Sequence, residues 1–409
     1  MTGSVHKVAM VSMHTAPDAQ PGSANAGGMN VAIIETAREL ATRGVEVDLL
    51  TRAAGDAGVR DIAPGVVLHA LEAGDSTLTR GALATMTDEF GEAVARLSRD
   101  AGYDVIHAHF WLSGLATLPV ALELGIPFVQ SFHSLGVMKN AALVPGAAPE
   151  PDRRLWSERY LATQADAIIA SSTAEASTLI DDVGATAERI WVIPPGVDST
   201  LFLDGRSSTS LSVHAFLGID SDRPVIPVIG RLQRLKDQEL AIRALALLPA
   251  PRPLLAVIGE PAPGEEGYGI QLRRLASHLC VAADVRFLGA LSPQQVSNVL
   301  AASSVAVIPS RSETYGLVAL EAAASGVAVI AADAGGLTDA VVDGSTGLIL
   351  ASRDPADWAL AITRLLADPG LRSRLGAAGR QRAEGLSWAA TATSALGVYA
   401  AVSAQLPER

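Results

Sequence analysis

Glu313 and Glu321 are separated by seven residues in the segment Ile308–Ala323, IPSRSETYGLVALEAA. The segment begins where Ser304–Ile308, a β-branched run, reads as a strand. It continues into a helix with Leu317, Leu320, Ala323 and Ala324 at helical spacing. A strand that turns into a helix offers unpaired N–H groups and the positive end of the dipole, where phosphate binds. Glu313 falls in the turn and Glu321 about two helical turns later on a similar face. Two acceptors beside an anion site can hold sugar hydroxyls. The plainer alternative is a dipole-complementing Glu and an exposed one. The cationic counterpart lies in Gly230–Asp237, GRLQRLKD. Arg231 is at a strand end and Lys236 at what reads as a helix start, where the dipole opposes its charge. That placement points to an anion between them, a solvated surface pair being the alternative. His133 closes the strand-like Pro127–Ser134 at its carboxyl end, where open α/β sheets collect ligands.

Strand-like and helix-like segments alternate along the 409 residues, with short connections. They predict two doubly wound α/β halves. The crossing point is Trp191–Asp198, WVIPPGVD, stiffened by two prolines. Residues 1–195 form one expected domain and residues 196–385 the other. Gly205–Ser212 reads as a loop. No apolar run is long enough to span a membrane, and the N-terminus reads as a first strand rather than a signal peptide, so the expected location is cytoplasmic. The net charge of −12 argues against nucleic acid as a partner. Cys280, in SHLCVAA, reads as a buried structural thiol. Gly27-Gly28 before a helix would let a ligand approach the backbone, though a flexible loop has the same composition. His107 and His109 share one strand face, either as ligands or as packed histidines, and lack a third zinc ligand at suitable spacing. Asp220-Ser-Asp222 is the conspicuous D-x-D of the kind that holds metal, but it precedes its strand and reads as a turn.

Several stretches resemble one family: Gly27–Val31 (GGMNV), Pro195–Asp198 (PGVD), GRLQRLKD and SETYGLVALEAAASG. The chain is similar to retaining GT-B glycosyltransferases with the E-x7-E motif, closely so to the inositol-phosphate glycosyltransferases of mycothiol synthesis. The resemblance implies two Rossmann-like domains facing across a cleft, with the last helix, within 386–409, returning to pack on the first domain. It implies transfer from a nucleotide sugar, UDP or GDP being the product, with no cofactor; because Asp220-Ser-Asp222 reads as a turn at the wrong edge, the transfer is expected to need no metal. It assigns Gly27, Gly28, Arg231, Lys236, Arg286, Glu313, Thr314, Tyr315, Gly316, Leu317 and Glu321 to the donor. His133, Glu313, Arg231 and Lys236 would serve transfer. Asn30, Phe110, Ser134 and Arg154 would serve the acceptor. Departures affect acceptor phosphate capture: Phe110 stands where the family has a phenol, Ser134 where it has threonine, and no lysine matches within Gly74–Arg80, Ser76 being nearest. The expectation is therefore a small, non-phosphorylated acceptor in natural-product (antibiotic or thiol) biosynthesis. The alternatives are the inositol-phosphate N-acetylglucosaminyltransferase of mycothiol synthesis, a nucleotide-sugar 2-epimerase, and a non-catalytic binding protein. A homodimer is a possible assembly.

Overall fold

The computed structural model describes residues 5–22, 26–53, 55–75, 82–144, 147–203, 210–218, 220 and 222–404. The first sheet has eight strands: β1 (Lys7–Val11), β2 (Glu46–Arg52), β3 (Gly58–Ala63), β4 (Val66–Leu71), β5 (Val105–His109), β6 (Phe128–Ser131), β7 (Ala167–Ala170) and β8 (Ile190–Val192). Their order is β3-β4-β2-β1-β5-β6-β7-β8, and only the edge pair β3–β4 is antiparallel. Strands such as β5 and β6 are buried along their whole length, as parallel strands covered on both faces must be. Strand order reverses between β1 and β5.

The second half holds β9 (Val225–Ile229), β10 (Leu254–Ile258), β11 (Val285–Phe287), β12 (Val305–Ile308), β13 (Ala328–Ala332) and β14 (Gly347–Leu350). These form two parallel triplets, β11-β10-β9 and β12-β13-β14. The bond from Ser304 N to Val225 O, 2.9 Å, joins the triplets side by side. Their order also reverses, between β9 and β12. Ligands bind outside strand carboxyl ends at such switch points, and the two switch points face each other across a cleft.

The last helix, Trp388–Ser403, returns to the first sheet. Ala392, Ala395, Val398, Tyr399 and Val402 pack with Val8, Met10 and Ile33. Tyr399 is fully buried, and its hydroxyl meets His107 Nδ1 at 2.7 Å. The crossing is held by Val197 N to Leu386 O, 2.9 Å, and Thr391 Oγ1 to Pro194 O, 2.9 Å. Away from the crossing, Thr173 Oγ1 donates to Asp339 Oδ1 at 2.7 Å and Thr314 Oγ1 to His133 O at 2.8 Å. The halves are thus tied on both sides of the cleft.

Three expectations are corrected. Cys280 is exposed, because its helix ends at His278 and the residue sits at φ +57° in the turn beyond. Ser210–Leu217 is a helix, so the predicted loop fails over residues 210–212, and residues 205–209 lie outside the described ones. Lys236 ends a short 3-10 turn, Arg234–Lys236, ahead of the helix Gln238–Leu247 rather than in its first turn. No helix among the described residues is long and apolar enough to cross a membrane.

A Cβ on Gly196 would lie 2.2 Å from Trp388 N and 2.5 Å from Ser387 C, both backbone atoms. Gly196→Ala must therefore part the crossing from the last helix. The expected loss is about 1–3 kcal/mol, read as a lower melting temperature than that of the parent.

Candidate active site

The cleft is one groove lined from both halves. Its second-half wall comes from the loops leaving β9 and β12. The loop after β9 carries Arg231 and Lys236, and the loop after β12 carries Glu313. Lys236 Nζ contacts Glu313 Oε1 directly, and Ser310 Oγ donates to the same oxygen at 2.8 Å. Arg231 is largely enclosed. Burial works against its charge, and Glu313 works for it. Gly316 leads into the helix Leu317–Ala324 at φ +100°, a conformation that favours glycine. A Cβ there would strike the Leu337 side chain at 2.4 Å.

The first-half wall begins at the helix Gly28–Ala41, whose N-terminus opens on the cleft. A Cβ on Gly28 would lie 2.9 Å from the Leu317 side chain, so glycine here lets the two helix starts approach. Asn30 is buried and locks this turn: Gly27 N donates to its Oδ1 at 3.0 Å, and its Nδ2 donates to Thr15 Oγ1 at 3.2 Å and Ala16 O at 2.7 Å. Both amide protons are spent within the protein.

His133, at φ +56°, follows β6 and lines the cleft. Its Nε2 meets His109 Nδ1 at 2.8 Å. His109 Nε2 is buried without a partner among the described residues. A stranded lone pair costs less than a stranded N–H, so the proton is assigned to His109 Nδ1, which donates to His133. His133 then carries its proton on Nδ1. Burial lowers His133 to about 4 and His107 to about 3, so both rings are neutral near pH 7.

Arg154 takes a different place from the one the sequence suggests. It is buried and does not line the cleft. Its Nε donates to Glu158 Oε1 at 2.7 Å, Nη1 pairs with Glu150 Oε2 at 3.0 Å, and Nη2 donates to Ser134 O at 2.8 Å and Ser134 Oγ at 3.0 Å. Its guanidinium sits 5.0 Å from the Phe110 ring centroid. Phe110 and Ser134 face the cleft, with Arg154 supporting them from behind. Arg286 also stays out of the lining, its Nη1 donating to Ala283 O at 3.1 Å. Thr314, Tyr315, Gly316 and Leu317 do line it.

Lys139 and Glu175 line the cleft unforeseen. Lys139 pairs with Glu150 at 3.0 Å. The signal was rarity: the chain has three lysines, Lys7, Lys139 and Lys236, and two of them face the cleft. Burial works against the charge of Glu150, but Lys139 and Arg154 outweigh it and hold its carboxyl below the usual range. Glu175 is buried and accepts from Ser171 N and Oγ, both at 2.7 Å. Nothing in its sequence context marked it. Among the described residues no group of three His, Cys, Asp or Glu could hold a metal ion. Asp220 accepts from Arg223 N at 3.2 Å in a turn at the amino end of β9, away from the cleft.

Glu321 faces a deeper lobe of about 440 Å³ near Gly259 and Leu291, with no side-chain partner among the described residues. Burial pushes its carboxyl up to about 7. The native state therefore holds a proton that the unfolded chain releases, and stability falls as pH rises from about 4.5 to about 7. Glu321→Gln removes that loss. Without ligand it should be more stable than the parent at pH 8, by up to about 3 kcal/mol, and match it near pH 4.5. Melting temperatures across that range check the sign.

Two family models match: "Glycosyl transferase 4-like domain" over residues 27–196 and "Glycosyl transferases group 1" over 212–382. The D-inositol 3-phosphate glycosyltransferase of Stackebrandtia nassauensis is 39% identical over 96% of this chain and 91% of its own. That of Acidothermus cellulolyticus is 40% identical over 96% and 90%. Among solved structures, sucrose-phosphate synthase from Thermosynechococcus elongatus superposes with a TM-score of 0.88 at 31% identity, covering 96% of this chain and 98% of that one. HepE from Anabaena superposes at 0.78 with 21% identity, over 95% and 98%, a likeness of fold alone. With opposed switch points, a shared cleft and full-length relatives, the chain belongs to the group 1 glycosyltransferases of GT-B fold.

Proposed function

We propose that this glycosyltransferase moves a sugar from a nucleoside diphosphate sugar to an inositol phosphate. The observation that carries the donor side is the pairing of Lys236 with Glu313 beside Arg231 at the second switch point. Arriving diphosphate takes Lys236 and Arg231 as partners, Arg through two-point hydrogen bonds and Lys as a mobile charge. Glu313, released from Lys236, accepts donor sugar hydroxyls, and Glu321 accepts ribose hydroxyls in the deeper lobe. His133 donates through Nδ1 to the sugar. As the anomeric bond breaks, negative charge grows on the diphosphate and the two cations stabilise it. The acceptor hydroxyl attacks from the same face, and its proton passes to the leaving phosphate oxygen. Retention of configuration and transfer without a metal are part of this proposal.

The acceptor rests on relatives named D-inositol 3-phosphate glycosyltransferase along nearly the whole chain. Lys139 supplies a cation in the acceptor half, and Ser134 supplies a hydroxyl. This reading replaces the non-phosphorylated acceptor expected from the departures in sequence. A second reading keeps that acceptor, because Phe110 lacks a phenolic donor and Arg154 is enclosed by Glu150 and Glu158.

Competition between inositol 3-phosphate and inositol decides the acceptor. A preference of at least tenfold for the phosphate, lost in Lys139→Gln, is the expected result. A preference for the unphosphorylated cyclitol supports the second reading. Arg231→Gln should lower kcat about 10²–10³-fold. A change confined to KM would show that Arg231 binds without stabilising the leaving group.

A further inference from the structure

Arg234 and Asp237 turn away from the cleft on the same short segment that sends Lys236 into it. Behind the segment is a second pocket of about 330 Å³ that shares no lining residue with the cleft. Four guanidiniums line it, those of Arg234, Arg243, Arg311 and Arg353. Two carboxylates answer them. Arg311 and Arg353 share one oxygen, Asp237 Oδ2, at 2.8 and 3.7 Å. Arg243 pairs with Glu239 at 2.7 Å. The Arg234 guanidinium is in no ion pair among the described residues: its Nη2 donates to Gln271 Oε1 at 2.9 Å and it lies 5.4 Å from the Tyr268 ring centroid, while the Arg234 backbone N donates to Glu265 Oε2 at 3.1 Å. Arg311 Nε is buried with no hydrogen-bond partner among the described residues.

In a chain of net charge −12, such an excess of positive charge in one concavity is not background. Like charges held together need a counter-ion, and guanidinium forks match the oxygens of a phosphate. We infer that this pocket is a second anion site, built for a phosphomonoester or free phosphate. An occupant would also brace the reacting loops. Arg353 donates to Pro309 O and to Ser310 O, the latter at 2.7 Å, and Ser310 Oγ holds Glu313. Arg311 N donates to Leu235 O at 2.8 Å, fastening the loop of Glu313 to that of Lys236. Anion binding behind the loops therefore acts on the pair that faces the donor.

The test is calorimetric titration at matched ionic strength with inorganic phosphate and, separately, glucose 6-phosphate. R231Q/K236Q silences phosphate binding in the cleft and should keep one site. Adding R234Q/R243Q to it should raise the dissociation constant at least tenfold. R234Q/R243Q alone alters the pocket rim only, and its phosphate stoichiometry should fall by one from that of the parent. Tighter binding of glucose 6-phosphate names a phosphomonoester as ligand, and equal binding names free phosphate. Undiminished phosphate binding in R234Q/R243Q, or none in R231Q/K236Q, overturns the inference. Binding is read without turnover, so failure of the transferase proposal would leave this test standing.

Discussion

The contact between Lys236 and Glu313 is the interaction around which the cleft is arranged. It joins the loops leaving β9 and β12 across a strand-order reversal, alongside the backbone bond from Arg311 N to Leu235 O at 2.8 Å. Both groups are part-buried, so neither is fully solvated and each depends on the other. Under the proposed function, a diphosphate would offer Lys236 a better partner than a single carboxylate, leaving Glu313 free for hydroxyls. Donor binding becomes an exchange of partners rather than the filling of an empty charged site. That exchange keeps the desolvation cost of two ions from falling wholly on the ligand-free protein.

The opposing wall is built without net charge. His107 and His109 are buried and His133 half-buried, all three neutral near pH 7, and Tyr399 from the returning helix anchors one end of the row. Phe110 and His133 both hold positive φ, at +74° and +56°, at the exits of adjacent strands. Each such conformation costs on the order of 1–3 kcal/mol, and packing sustains them. The strain aims both side chains into the cleft rather than along their strands. A neutral, rigid histidine row facing the cations of the second-half wall suits a donor whose diphosphate lies on one side and whose sugar lies on the other, with Lys139 the cation of the first-half wall.

The sequence made the parallel strands legible because they are buried on both faces and read as apolar runs. β3 and β4 escaped notice: β3, GVRDIA, is an exposed edge strand without such a run. Arg231, Lys236, Glu313 and Glu321 do line the cleft, on the loops and helix leaving β9 and β12, although Lys236 ends a 3-10 turn rather than starting a helix. Arg154 matched by motif, yet it stands behind the cleft wall rather than in it. Its carboxylate partners Glu150 and Glu158 are sequence neighbours four residues away on either side, so the ion pairs were local, whereas the Ser134 carbonyl that completes its capture comes from tertiary packing. Cys280 failed similarly, since a turn at positive φ ended a helix that its apolar neighbours seemed to continue. Asn30 matched by motif, yet its amide closes the turn around Gly27.

The acceptor side gains from the same reasoning about shared charge. Glu150 lies between Lys139 and Arg154, so it is divided between a cation facing the cleft and one buried behind it. Under the proposed function, an acceptor phosphate meeting Lys139 would compete with Glu150 for it, as the donor diphosphate would compete with Glu313 for Lys236. Released from Lys139, Glu150 still has Arg154, so no carboxylate is left unpaired. The buried arginine thus lets a cleft lysine change partners at low cost, which a solitary Lys–Glu pair could not do. Two of the three lysines in an arginine-rich chain occupy these exchange positions, where a compact, mobile point charge serves better than a fixed planar fork.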